Sequence, residues 1–91
     1  MIQRRFLVID DDRVSLVGYP LPLSPTERRV LVTICNNSFP TPESLLEDLN
    51  HEISRESLIV HIHAINRKAK AVSGRPLLMM SFGAYHLNPN M

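Results

Sequence analysis

Ile53 to Val72 reads Ile-Ser-Arg-Glu-Ser-Leu-Ile-Val-His-Ile-His-Ala-Ile-Asn-Arg-Lys-Ala-Lys-Ala-Val, and its periodicity decides the fold. Leu58, Ile62, Ile65, Ala69 and Val72 recur at steps of four and three, which is one face of a helix with about 3.6 residues per turn. The opposite face collects Val60, His63, Ala64, Arg67 and Ala71, with Glu56 and Lys70 beside it. Ser54 stands where a cap belongs, and Ile53 and Leu58 occupy the positions of a hydrophobic staple. A helix over 54–72, anchored by one face and cationic on the other, suits insertion into a nucleic-acid groove. The same pattern describes any surface helix on a small domain, so the flanking chain must discriminate.

Upstream, Asn50 to Ser54 is a turn of the length that joins two crossing helices. Before it, Thr41-Pro42-Glu43 is a cap followed by proline, and Leu45, Leu46 and Leu49 give a short helix. Glu43 near its start suits the helix dipole. Ser24-Pro25-Thr26-Glu27 starts a further helix, with Glu27 able to reach back and complete a capping box. Val30, Leu31, Ile34 and Cys35 mark its apolar face until Asn36 to Pro40 end it. The chain opens with β-rich Arg5 to Asp10 and alternating Arg13 to Val17, paired around Asp11 and Asp12. Tyr19 to Leu23 contains Pro20 and Pro22, which cannot donate to a ladder and confine it to a sheet edge.

Downstream, Ser73-Gly74-Arg75-Pro76 stops the long helix. Leu77 to Met80 and Tyr85 to Leu87 flank Ser81 to Ala84 as a closing hairpin. Met1 to Arg4 and Asn88 to Met91 read as loose ends. The expected fold is α+β, one domain over 1–91: a short N-terminal antiparallel sheet over 5–23, a three-helix core over 24–72 and a hairpin over 77–87.

Composition narrows the classes. A chain of 91 residues has room for one core, and 44% hydrophobic residues is ordinary for a folded domain. No apolar run approaches the roughly 20 residues that cross a bilayer, so no membrane partner is expected. The single Cys35 forms no internal disulfide, which points to a reducing cytoplasm. From Met1 to Glu52 there are five basic and eight acidic residues, giving −3; from Ile53 on, five basic residues face Glu56 alone, giving +4. The positive potential therefore belongs to the C-terminal part, as an electrostatic footprint for nucleic acid requires.

No catalytic set assembles, and neither an enzyme nor a cofactor is expected. Phe-Leu-Val-Ile-Asp-Asp-Asp at 6–12 looks like the acidic start of a phosphorylation receiver, but the chain has no place for the further aspartate and lysine that a receiver needs. His61 and His63 diverge by about 160° on a helix and cannot chelate one metal ion. Gly18, Gly74 and Gly83 sit at breaks in periodicity and form no phosphate-binding loop. Cationic side chains along a helix neutralise phosphates, and polar ones on its exposed face reach base edges. Arg67, Lys68, Lys70 and Arg75 are the phosphate candidates. Arg55, Ser57, His63 and Asn66 lie nearer a groove, and His61 flanks the core face within reach of a phosphate.

From about Phe6 to Leu87 the chain resembles the winged helix-turn-helix output domain of OmpR/PhoB-type response regulators of two-component systems. The likeness is carried by Leu-Ser-Pro-Thr-Glu at 23–27, Leu-Leu at 45–46, Val-His-Ile at 60–62 followed by Arg67-Lys68, and Tyr-His-Leu at 85–87. The resemblance implies transcription regulation by sequence-specific binding of double-stranded DNA. It places the third helix in the major groove and the hairpin, as a wing, on the minor groove or backbone. It also implies that the 50–53 loop is a surface able to meet RNA polymerase, and that two copies bind as a homodimer on tandem repeats. The chain departs from the family pattern at His63, Ala64 and Asn66, where basic residues are usual, and at Ser81, Phe82 and Ala84 in the wing. These departures leave an alternative open: a divergent winged-helix module for protein contacts or dimerisation, with weak or no DNA binding.

Overall fold

A computed structural model describes residues Met1 to Asn90. Strands β1 (Ile2–Gln3), β2 (Leu7–Asp10), β3 (Arg13–Leu16) and β4 (Tyr19–Pro20) form an antiparallel sheet in that order. Alternation sets its two faces. Leu7 pairs with Leu16 and Ile9 with Val14, and all four side chains are buried. The expected loose end at Met1 to Arg4 is corrected by β1, where Ile2 stands opposite Ile9 and packs on the core. The expected strand from Tyr19 to Leu23 stops early. Leu21 still donates its N–H to Val14 O at 2.8 Å, but Pro22 has no N–H to continue the ladder.

Helix α1 (Pro25–Asn36) opens on the anticipated capping box. Ser24 Oγ accepts from the Glu27 N–H at 3.2 Å, and Glu27 Oε1 accepts from the Ser24 N–H at 2.9 Å. Helix α2 (Pro42–Asp48) starts with Thr41 Oγ1 accepting from the Ser44 N–H at 3.1 Å. Asn50 and His51 both take φ of 54°, and their N–H groups return to Glu47 O and Leu46 O. That compact turn reverses the chain, and Arg29 of α1 pairs with Glu52 across it.

Helix α3 (Arg55–Ser73) is capped by Ser54 Oγ on the Ser57 N–H and ends at Gly74, whose left-handed φ of 78° lets its N–H reach Lys70 O. Its inner face is the one read from periodicity. Leu58, Ile62, Ile65 and Ala69 are buried with Leu31 and Leu45 of the other helices and Leu7 and Leu16 of the sheet. Each such leucine contributes on the order of 1.5–3 kcal/mol by leaving water. Ala64, expected on the outer face, is instead buried at the margin of the inner one.

Strands β5 (Leu78–Ser81) and β6 (Ala84–Leu87) close the chain as an antiparallel hairpin. Phe82 and Gly83 at its turn have φ of 55° and 80°, the signs of a type I′ turn. Tyr85 donates its N–H to Pro40 O at 2.9 Å, so the segment between α1 and α2 lies along β6. Asn88, expected in a loose end, is buried: its N–H reaches Leu77 O at 2.7 Å and its amide Pro76 O at 2.9 Å. The rest of that expected end reaches Met91, which lies outside the described residues. Among the described residues no helix is long and apolar enough to cross a membrane.

Candidate nucleic-acid interface

The outer face of α3 is a stripe with two halves. Val60, His63, Arg67 and Lys70 follow one another at steps of three and four, and all four are exposed. Toward the C-terminal end the stripe is cationic. Arg67, Lys70 and, just past the helix, Arg75 form no ion pair among the described residues. Toward the N-terminal end it is apolar, with Val60 63% and Ile59 41% exposed beside the acid Glu56.

Two of the remaining sequence candidates, Asn66 and Lys68, are tied into the fold. Asn66 stands at a position where the sequence places a groove-facing polar group. Its amide instead grips the β5 backbone: Nδ2 donates to Leu78 O at 2.9 Å and Oδ1 accepts from the Leu78 N–H at 2.8 Å. A primary amide matches a peptide unit in this two-bond manner and leaves little capacity for a base edge. Lys68 is turned away from the outer stripe. Its ammonium lies 2.6 Å from Glu27 Oε1, on a carboxylate only 9% exposed. Burial pushes the Glu27 pKa up, but the hydrogen bonds from Lys68 and from the Ser24 backbone, with the Lys68 charge, outweigh it and leave it lowered.

Arg55 pairs with Glu43 of α2 at 2.9 Å, with both side chains open to water. Exposed pairs of this kind exchange readily for another anion, so Arg55 remains available to a phosphate. Ser57 and His61 are half-buried, Ser57 in the capped first turn and His61 on the flank shared with Lys68. Of the nine sequence candidates, the structure brings His63, Arg67 and Lys70 onto one exposed stripe, with Arg75 following.

The hairpin lies alongside α3. Asn66 holds Leu78 at its base, while the charge of Arg55, about three turns earlier, is felt at the Tyr85 hydroxyl, whose pKa burial raises. From Leu77 to Asn90 the chain carries no lysine or arginine. Its large exposed side chains are apolar: Met79, Met80 and, at the turn, Phe82, which is 98% exposed. Ser81 Oγ and His86 Nε2 lie 2.9 Å apart on one face of the hairpin. Among the described residues no group of His, Cys, Asp and Glu is placed to hold a metal ion.

Sequence reasoning missed the Glu27–Lys68 and Asn66–Leu78 links and the exposure of Ile59. The capping box marks Glu27 as the residue at the third helical position, but nothing local connects it to a lysine 41 residues away. No protein-family model matches the chain, and no curated protein matches it.

Proposed function

We propose that the chain is a winged helix-turn-helix module that binds double-stranded DNA as part of a cytoplasmic transcriptional regulator. In this reading α2, the Asn50–His51 turn and α3 form the helix-turn-helix, α3 lies in the major groove, and the β5–β6 hairpin is the wing. The observation that carries it is the pair Arg67 and Lys70, exposed on one stripe of α3 with no acidic partner among the described residues. Lys68 and Asn66 hold that helix against α1 and the wing, so the stripe is presented by a fixed support.

Three unpaired cations give a quantitative expectation. Release of counterions by Arg67, Lys70 and Arg75 sets a slope of log K against log salt of about −0.9 per contact, or roughly −3 in all. Fluorescence anisotropy of a labelled duplex across a salt series measures it. Absence of binding to any duplex at low salt, with the fold intact by circular dichroism, rejects the reading. The connection at 50–53 is exposed at Asn50, His51 and Glu52, and RNA polymerase is the proposed partner there.

A second reading has its own support. Ile59, Val60, Met79, Met80 and Phe82 are all exposed, while His63, Asn66 and Phe82 stand where the resemblance leads one to expect other residues, which suits a protein contact or a homodimer. Sedimentation at increasing concentration separates the two: a dimer that excludes DNA favours the second.

A further inference from the structure

From the wing turn we infer that Phe82 is a minor-groove wedge, a ring that inserts between two stacked base pairs and bends the duplex. This rests on the DNA-binding reading above. Phe82 is costly where it stands on two independent grounds. Its ring is 98% exposed, so it gains nothing from burial. Its φ of 55° is left-handed, and the first central position of a type I′ turn favours asparagine, aspartate or glycine over a bulky side chain. Val17 shares the left-handed φ but is 44% exposed; the same strain on an aromatic residue held almost wholly in water singles out Phe82.

The hairpin beneath the ring is braced. Asn66 makes two bonds to Leu78, Asn88 closes on Leu77 O and Pro76 O, and Tyr85 N–H reaches Pro40 O. A ring on a mobile loop would fold back on the protein; one on a braced arm can be pushed between bases. The four residues from Leu78 to Phe82 carry the ring about 13 Å along the strand from the point that α3 holds. β5 runs back beside α3 toward the level of Arg55, so with α3 seated in the major groove the ring stands at that groove's edge, beside the neighbouring minor groove.

Charge and chemistry select the occupant. Arg67, Lys70 and Arg75 provide attraction for a polyanion, while the wing, with no lysine or arginine, adds none. A wing without lysine or arginine forms no ion pair with phosphates of the kind α3 offers; its largest exposed groups are apolar, and apolar wedges unstack and kink base steps from the minor groove. Flexible pyrimidine–purine steps give way most readily, so the preferred target carries TA or CA/TG steps beside the α3 site. Ile59 and Val60 on the base-facing half of α3 match the thymine methyl, which adds to the A·T preference.

The test uses a duplex of about 30 base pairs, roughly three turns, with central TA steps and a donor and acceptor dye at its ends. Binding of the whole chain is expected to raise energy transfer as the ends approach. Phe82→Asn, which suits the turn, and Phe82→Ala are expected to bind about ten-fold more weakly without that rise, the loss that one stacked ring supplies. Phe82→Trp is expected to restore it. A wild-type chain that binds without bending, or Phe82→Asn that bends equally, overturns the wedge and leaves the DNA-binding reading standing. Failure of the wild-type chain to bind any duplex removes both. Concentration-dependent dimerisation that Phe82→Asn abolishes, with no change in bending, assigns the ring to a second copy and also overturns it.

Discussion

Lys68 Nζ lies 2.6 Å from Glu27 Oε1, and the same carboxylate oxygen accepts the Ser24 N–H that opens α1. One oxygen therefore caps the first helix and tethers the third. Because Glu27 is buried and Lys68 only partly open, loss of either partner leaves a desolvated group short of a hydrogen bond. Lys68→Ala should destabilise the fold by about 2 kcal/mol, roughly 10 °C in Tm for a chain of this size. DNA affinity measured below the transition should change little. Arg67→Ala should do the reverse, with Tm held and the salt slope reduced by about one. Equal effects of the two substitutions on DNA affinity would contradict their separate placement.

The pH dependence follows from the direction of the Glu27 shift. Its pKa is lowered in the folded chain, so the unfolded chain binds the proton more readily. The stabilisation is fully present above the ordinary glutamate pKa and is lost as pH falls through the lowered folded value. Urea titrations between neutral and acid pH should show a drop in stability at the acid end that is smaller in Glu27→Gln. An equally steep acid limb in that variant would assign the drop to other carboxylates.

Asn66 supplies the brace between α3 and the hairpin. Asn66→Ala removes both bonds to Leu78 and leaves a backbone N–H and carbonyl of a buried strand residue unpaired, at a cost of about 1–3 kcal/mol. Hydrogen exchange should accelerate at Leu78 and along β5 more than in α1. Uniform acceleration through all three helices would mean that the hairpin does not open separately.

How much of this was legible in the sequence depends on the range of each interaction. The starts at Ser24, Thr41 and Ser54 and the stop at Gly74 are local chemistry, and α1, α2 and α3 begin and end where that chemistry places them. Strand β1 and the buried Asn88 depend on partners, Ile9 in one case and Leu77 and Pro76 in the other, which no local pattern announces. The same distinction runs through the interface. His63, Arg67 and Lys70 are outward by helical period alone. Asn66 and Lys68 look equally available in sequence, but their partners lie 12 and 41 residues away. Ile59 belongs to neither face drawn from the helical period, and only the packed structure shows it 41% exposed.

Two turns share a strained position and differ in their place in the fold. Val17 and Phe82 each take a left-handed φ, 53° and 55°, at the first central position of a hairpin turn ending in glycine. Relief of that conformation should be worth about 1 kcal/mol at either site, or roughly 4–8 °C in Tm. Val17→Asn and Phe82→Asn should therefore both raise Tm by similar amounts, read by thermal circular dichroism. The two should part in function. Val17 lies in the N-terminal sheet between β3 and β4, outside the proposed helix-turn-helix and wing, and its replacement should leave duplex affinity and its salt slope unchanged. Phe82→Asn should gain stability and lose affinity together, the trade expected of a residue kept for contact rather than for folding. A Phe82→Asn chain that is less stable than wild type would show that the ring supports the turn, and would remove the argument from strain.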